Sequence, residues 1–107
     1  MNNLYSKTIP DIIYQITDII DKRKKQNIYK LNILFVKKNY NIKHIHDIKY
    51  DLNYEVNNLV GFQKIALHFR TLGYTIKEIN IPNVFEPSSH GAYLLKIKFK
   101  PNLCCIL

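Results

Sequence analysis

The sequence predicts an α+β fold in two layers, with two helices on one face of a four-stranded, mostly antiparallel sheet in the order α-β-β-α-β-β. Three observations carry this. Leu59, Phe62, Ile65, Ala66, Phe69 and Leu72 recur at three- and four-residue steps, the spacing of one helix face. Gly73 follows where a helix needs a residue that tolerates positive φ, so it reads as the stop. Tyr93, Leu95, Ile97 and Phe99 then alternate with Leu94, Lys96, Lys98 and Lys100, the period of a strand with one side turned to a core.

Residues 9–26 read as the first helix. Thr8 is a good N-cap with Asp11 three residues on, and Pro10 suits a first turn. Ile9, Ile12, Ile13, Ile16, Ile19 and Ile20 make one apolar stripe, with Asp11, Asp18 and Asp21 off it. The helix ends in Lys22, Arg23, Lys24 and Lys25, cations that offset the helix dipole or grip phosphate. In residues 28–36, Tyr29, Leu31, Ile33 and Phe35 alternate while Leu34 and Val36 add apolar surface on the second side, as in a central strand.

Residues 42–56 read two ways. At period two, Ile48, Tyr50, Leu52, Tyr54 and Val56 oppose Asp47, Lys49, Asp51, Asn53 and Glu55; at the helical period, Ile42, Ile45, Ile48 and Leu52 form a short stripe. Tyrosine and β-branched enrichment favours a strand from about Asp47. The helical alternative gives α-β-α-α-β-β, which resembles a winged-helix domain with residues 57–72 as recognition helix and 74–100 as wing. The preferred order resembles the core of LAGLIDADG-type homing endonucleases. That family carries an acidic residue after a small-residue-rich helix. Here the first helix is isoleucine-packed and ends in four cations, so the resemblance implies an element order and no cleavage chemistry. Residues 57–72 are the second helix, and 74–81 and 92–100 the last two strands.

A chain of 107 residues fits one domain spanning 1–107, and 47% hydrophobic with 22% charged residues is the balance of a globular chain rather than a disordered one. The net charge of +8 raises the expectation of a polyanionic partner. Against it, Ile, Lys, Asn and Tyr supply 51 residues, all with A/T-rich codons, as in an AT-rich genome such as that of a large DNA virus. Lys outnumbers Arg 14 to 2, although Arg is the better bidentate reader of phosphate. Residues 1–20 lack the pattern of a signal peptide and no apolar run approaches a membrane span. Cys104 and Cys105 are adjacent and offer no ordinary intrachain bridge, so the expected location is intracellular, in cytoplasm or nucleus.

Lys96, Lys98 and Lys100 share one side of a single strand, joined by Lys77 or Lys49 from neighbours, and such a row can track a phosphate backbone. The alternation sends Tyr50, Tyr54, Tyr93 and Phe99 to the core side, so aromatics for base stacking do not interleave with the lysines. His44 and His46 lie together but His68 and His90 are distant, and no Cys-x-x-Cys or His-x-x-x-His pattern accompanies them, so no metal site is expected. Glu86, Ser88, Ser89 and His90 share one loop, too close in sequence to converge from a rigid frame as a triad. There is no Gly-x-Ser-x-Gly elbow or Gly-rich phosphate loop, and neither enzymatic activity, a cofactor nor a small-molecule substrate is expected.

Phe85 on the same loop reads as an anchor for the core or a partner. Cys104-Cys105-Ile106-Leu107 resembles the C-a-a-X tail of Ras-like small GTPases, which implies lipidation at Cys104 and a membrane partner if prenylated. The alternative is a terminus whose Ile106 and Leu107 pack on the core or a second subunit. Three functions follow. The first is a non-enzymatic interaction or assembly protein, contacting a protein partner or its own copies through Phe85, Ile106 and Leu107. The second is a nucleic-acid-binding module using Lys22, Arg23, Lys24, Lys25, Lys96, Lys98 and Lys100. The third is a prenylated peripheral membrane protein.

Overall fold

The computed structural model describes residues 8–38, 47–56, 61–82 and 90–100. Their order is α1 (Ile9–Lys25), β1 (Lys30–Lys37), β2 (Leu52–Val56), α2 (Gln63–Thr71), β3 (Thr75–Pro82) and β4 (His90–Lys98). The sheet runs β2-β1-β4-β3. β1 pairs antiparallel with β4, and β4 with β3, whereas β1 and β2 are parallel. This is an α+β fold with both helices on one face of a mixed four-stranded sheet.

α1 starts as its sequence dictates. Thr8 Oγ1 accepts from Asp11 N–H and Asp11 Oδ2 accepts from Thr8 N–H, both at 3.3 Å, so two orphan donors are satisfied reciprocally. Its end is set one residue beyond Gln26. Asn27 takes φ 61°, a left-handed conformation that asparagine tolerates, and Ile28 N–H closes back onto Arg23 O at 2.9 Å. The reversal feeds β1 directly. α2 stops by the same device, with Gly73 at φ 91° and Tyr74 N–H bonded to Phe69 O at 3.1 Å.

The core lies between helices and sheet. Ile12, Ile16 and Ile20 from α1 meet Ile65, Ala66 and Phe69 from α2 over Leu31, Ile33, Phe35, Tyr93, Leu95 and Ile97 of the two central strands. Phe35 is its hub. It stacks on Tyr54 at 5.4 Å, meets Phe62 edge-on at 4.5 Å and tilts against Tyr93 at 6.1 Å. Tyr54 also donates to Gln15 Oε1 at 2.8 Å, tying β2 to α1.

The winged-helix order is set aside, because Leu52–Val56 is a strand in register with Ile33–Lys37. That strand is shorter than the alternation suggests, and its alternation fails at its start. Ile48 packs on the opposite face of the sheet, with Leu34, Ala92 and Leu94, while Tyr50 is exposed. The physical reason is the parallel pairing. A parallel neighbour needs a crossover, and here the end of the connection lies over the second face, where Ile48 covers apolar side chains.

A candidate polyanion-binding face

Strand register decides what the second face displays. On β1 it carries Lys30, Asn32, Leu34 and Val36; on β4 Lys98, Lys96, Leu94 and Ala92; on β3 Thr75, Lys77, Ile79 and Ile81. Each row across the strands is of one chemical kind. Leu34, Leu94 and Ile79 share a row, followed by Val36, Ala92 and Ile81, and with Ile48 these form an apolar cluster in which Leu34, Ala92 and Leu94 are buried and the rest half-buried. At the other end Lys30 faces Lys98, and Lys96 faces Lys77. Four lysines therefore spring from adjacent rows, their backbone positions about 6.6 Å apart along the strands and about 4.8 Å apart across them. Lys30, Lys77 and Lys98 are exposed, and Lys96 is half-buried.

Like charges directly opposite each other destabilise a sheet. No ion pair among the described residues relieves these four. The nearest acid by register is Asp51, opposite Asn32 just before β2. Its Oδ2 accepts from Asn32 N–H at 2.7 Å and its Oδ1 pairs with Arg23 at 3.5 Å, so it is committed at the rim. Lys100 is exposed and stands beyond β4, where Phe99 N–H bonds to Tyr29 O at 3.0 Å and extends the ladder.

The cluster at the end of α1 lies at this same pole, joined to Lys30 through the Asn27 reversal. Its side chains are largely engaged within the molecule. Lys22 pairs with Asp18 at 3.1 Å one turn back. Arg23 holds Asp51 and donates to Lys30 O at 3.3 Å. Lys24 lies over the rings of Tyr74 and Phe99, 5.4 and 6.0 Å from their centroids. Lys25 is exposed.

A second polar cluster faces the helices. Tyr93 donates to Glu78 Oε1 at 2.5 Å, and Arg70 from α2 pairs with Glu78 Oε2 at 2.7 Å. The Tyr93 hydrogen bond, and after it Arg70, holds the Glu78 carboxyl below the usual carboxylate range. Burial first, and then Glu78, pushes the Tyr93 hydroxyl up. Both groups are thereby fixed in their neutral-pH forms, a satisfied bracket between α2 and the sheet rather than an acid–base pair poised for turnover. Burial likewise raises the Tyr54 hydroxyl.

Of the residues singled out from sequence, Lys77, Lys96 and Lys98 are brought together with Lys30, which sequence reasoning missed. Lys49 stands in the irregular approach to β2 instead. The missed signal is the pairing register, which places the first residue of β1 against the last of β4. The Arg70–Glu78–Tyr93 bracket was missed for the same reason. His68 lies edge-on to Phe69 at 5.0 Å, and no group of three metal-ligating side chains occurs among the described residues. Phe85, Glu86, Ser88, Ser89, His44, His46, Cys104, Ile106 and Leu107 lie outside them. No described helix is long and apolar enough to cross a membrane. Searches against protein-family models, curated proteins and solved structures give no match for this chain.

Proposed function

We propose that this chain is a non-enzymatic binding module whose β1-β4-β3 face holds the phosphate backbone of a nucleic acid. The observation that supports it is the pair of like-charged cross-strand neighbours, Lys30 with Lys98 and Lys96 with Lys77, side by side at one end of a face, with Lys30, Lys77 and Lys98 exposed. Codon bias explains many lysines, but it does not explain four on neighbouring rows with the adjacent carboxylate, Asp51, held by Arg23 and the Asn32 N–H. A run of phosphates converts that repulsion into attraction and releases bound counterions. The assembly reading draws less support. On the apolar half of the same face Leu34, Ala92 and Leu94 are buried and Val36, Ile48, Ile79 and Ile81 half-buried. Of the exposed large apolar side chains among the described residues, only Leu67 and Leu72 share an element, α2 and its C-cap, while Tyr14, Ile28 and Tyr50 lie on other segments.

The test is affinity against salt. Four phosphate contacts give a log–log slope of about −3.6 on a double helix, so binding weakens about 150-fold between about 50 and 200 mM salt. Replacing Lys30, Lys77, Lys96 and Lys98 together by Gln flattens that slope to near zero if this face is the site. A wild-type slope near zero, or tighter binding to phosphatidylserine vesicles than to nucleic acid, refutes the proposal.

A further inference from the structure

The make-up of the lysine face points to the form of nucleic acid it takes: we infer that the partner is a double helix, gripped by its backbone without regard to sequence. The inference rests on the nucleic-acid reading above and deepens it. On β1, β4 and β3 the six positions that face outward at this end are Lys30, Asn32, Thr75, Lys77, Lys96 and Lys98, and beside Asn32 at the rim stands Asp51, paired with Arg23. All six are groups that bond to phosphate or sugar. Sheets that bind single strands place aromatic rings at such positions, because unpaired bases are held by stacking. Here the aromatics within the strands are committed to the other side, and the exposed ring of Tyr50 stands just before β2, outside the lysine rows. Phe35 and Tyr54 are stacked on each other at 5.4 Å, and Tyr93 is buried with its hydroxyl on Glu78. Phe99 and Tyr74, which flank the lysine pole, pack together at 5.8 Å, and Tyr74 stacks on Phe69. These rings form the helix-facing core and are not free to turn through the sheet.

A face that offers only charge binds whichever polyanion is denser. A double helix carries one charge per about 1.7 Å of axis, against about 3.4 Å for one strand, and each contact releases about 0.9 counterion rather than about 0.7. Over four contacts the slopes differ by about 0.8. From a common value near 1 M salt, that makes a duplex bind about tenfold more tightly than its own single strand at about 50 mM.

The experiment is fluorescence anisotropy with the full chain and labelled 20-mers: a DNA duplex, an RNA duplex, each single strand, and duplexes of scrambled sequence. The expected result is about tenfold tighter binding to the duplexes, equal for scrambled sequences; the tighter of the DNA and RNA duplexes identifies the source of the backbone. Single strands binding as tightly as duplexes, or a marked sequence preference, overturns this inference and leaves the nucleic-acid reading standing. Failure to bind any of them overturns both. Retention of the duplex preference by the Lys30, Lys77, Lys96 and Lys98 to Gln variant, checked as folded by circular dichroism, refutes the assignment to this face.

Discussion

Reversing one charge on the sheet face is expected to make the protein more stable and a weaker binder at once. Lys98 stands directly opposite Lys30, with Thr75 on its other side. Two unit charges about 5 Å apart in water repel by about 0.8 kcal/mol, which screening at physiological salt cuts to about 0.4 kcal/mol. Lys98→Glu removes that repulsion and substitutes an attraction of similar size, so the domain gains about 0.8 kcal/mol. For a chain of this length that raises Tm by about 3–6 °C. The same change deletes one phosphate contact and adds a repulsive one, taking the effective count from four to about two. The salt slope then falls to about −1.8, and affinity drops about 30-fold at about 0.15 M salt. Scanning calorimetry and anisotropy on one preparation read both quantities. A lower Tm would refute the electrostatic account of the face, and a higher Tm with unchanged affinity would refute its use for binding.

Three further outcomes follow from the fold. Phe35→Ala is expected to cost about 3–5 kcal/mol, a large share of the stability of a small domain, because it empties a fully buried site with three ring neighbours. Phe35→Leu refills most of the site and loses much less; equal losses in urea titrations would show that the ring contacts, and not the filled volume, carry the cost. Gly73→Ala puts a side chain at φ 91° with nothing within 4 Å to hold or obstruct it, so the loss of about 1–2 kcal/mol is backbone strain alone. A neutral result would mean that the turn relaxes. Glu78 has a folded pKa below its unfolded value of about 4.3, so its contribution is full above that value and is lost as pH falls through the folded pKa. Glu78→Gln should lower stability near neutral pH and remove that part of the acid-induced loss; an unchanged pH profile of Tm would show that the bracket carries no linkage.

Much of the fold could be read from local pattern, since its signals lie within single elements. The isoleucine stripe, the Thr8 cap and the Gly73 stop each depend on residues a few positions apart, and each stands where its chemistry requires. The doubly apolar stretch around Leu34 likewise marked a central strand, and β1 occupies the middle of the sheet. What could not be read is long-range. Nothing within 42–56 announces that its strand pairs parallel to β1, and that pairing sends Ile48 to the far face while leaving Tyr50 in solvent. The cap of α1 was legible but its αL residue was not, because Asn27 serves there only through the hydrogen bond that Ile28 returns to Arg23.

The lysine face shows the same division at higher stakes. Alternation in one strand put Lys96 and Lys98 on a common side, and that much was local. Whether they form a site depends on what stands beside them, and neighbours in a sheet are fixed by register rather than by sequence distance. A shift of β1 by one residue against β4 would turn Lys30 toward the helices and bring Leu31 out beside Lys98, destroying core and charge cluster together. The packing of Leu31, Ile33 and Phe35 under the helices therefore enforces the lysine juxtaposition as a by-product. Hydrophobic burial, of order 1.5–3 kcal/mol for each such side chain, exceeds the few tenths per pair by which the lysines repel. The core thus holds four like charges on a surface from which electrostatics alone would disperse them.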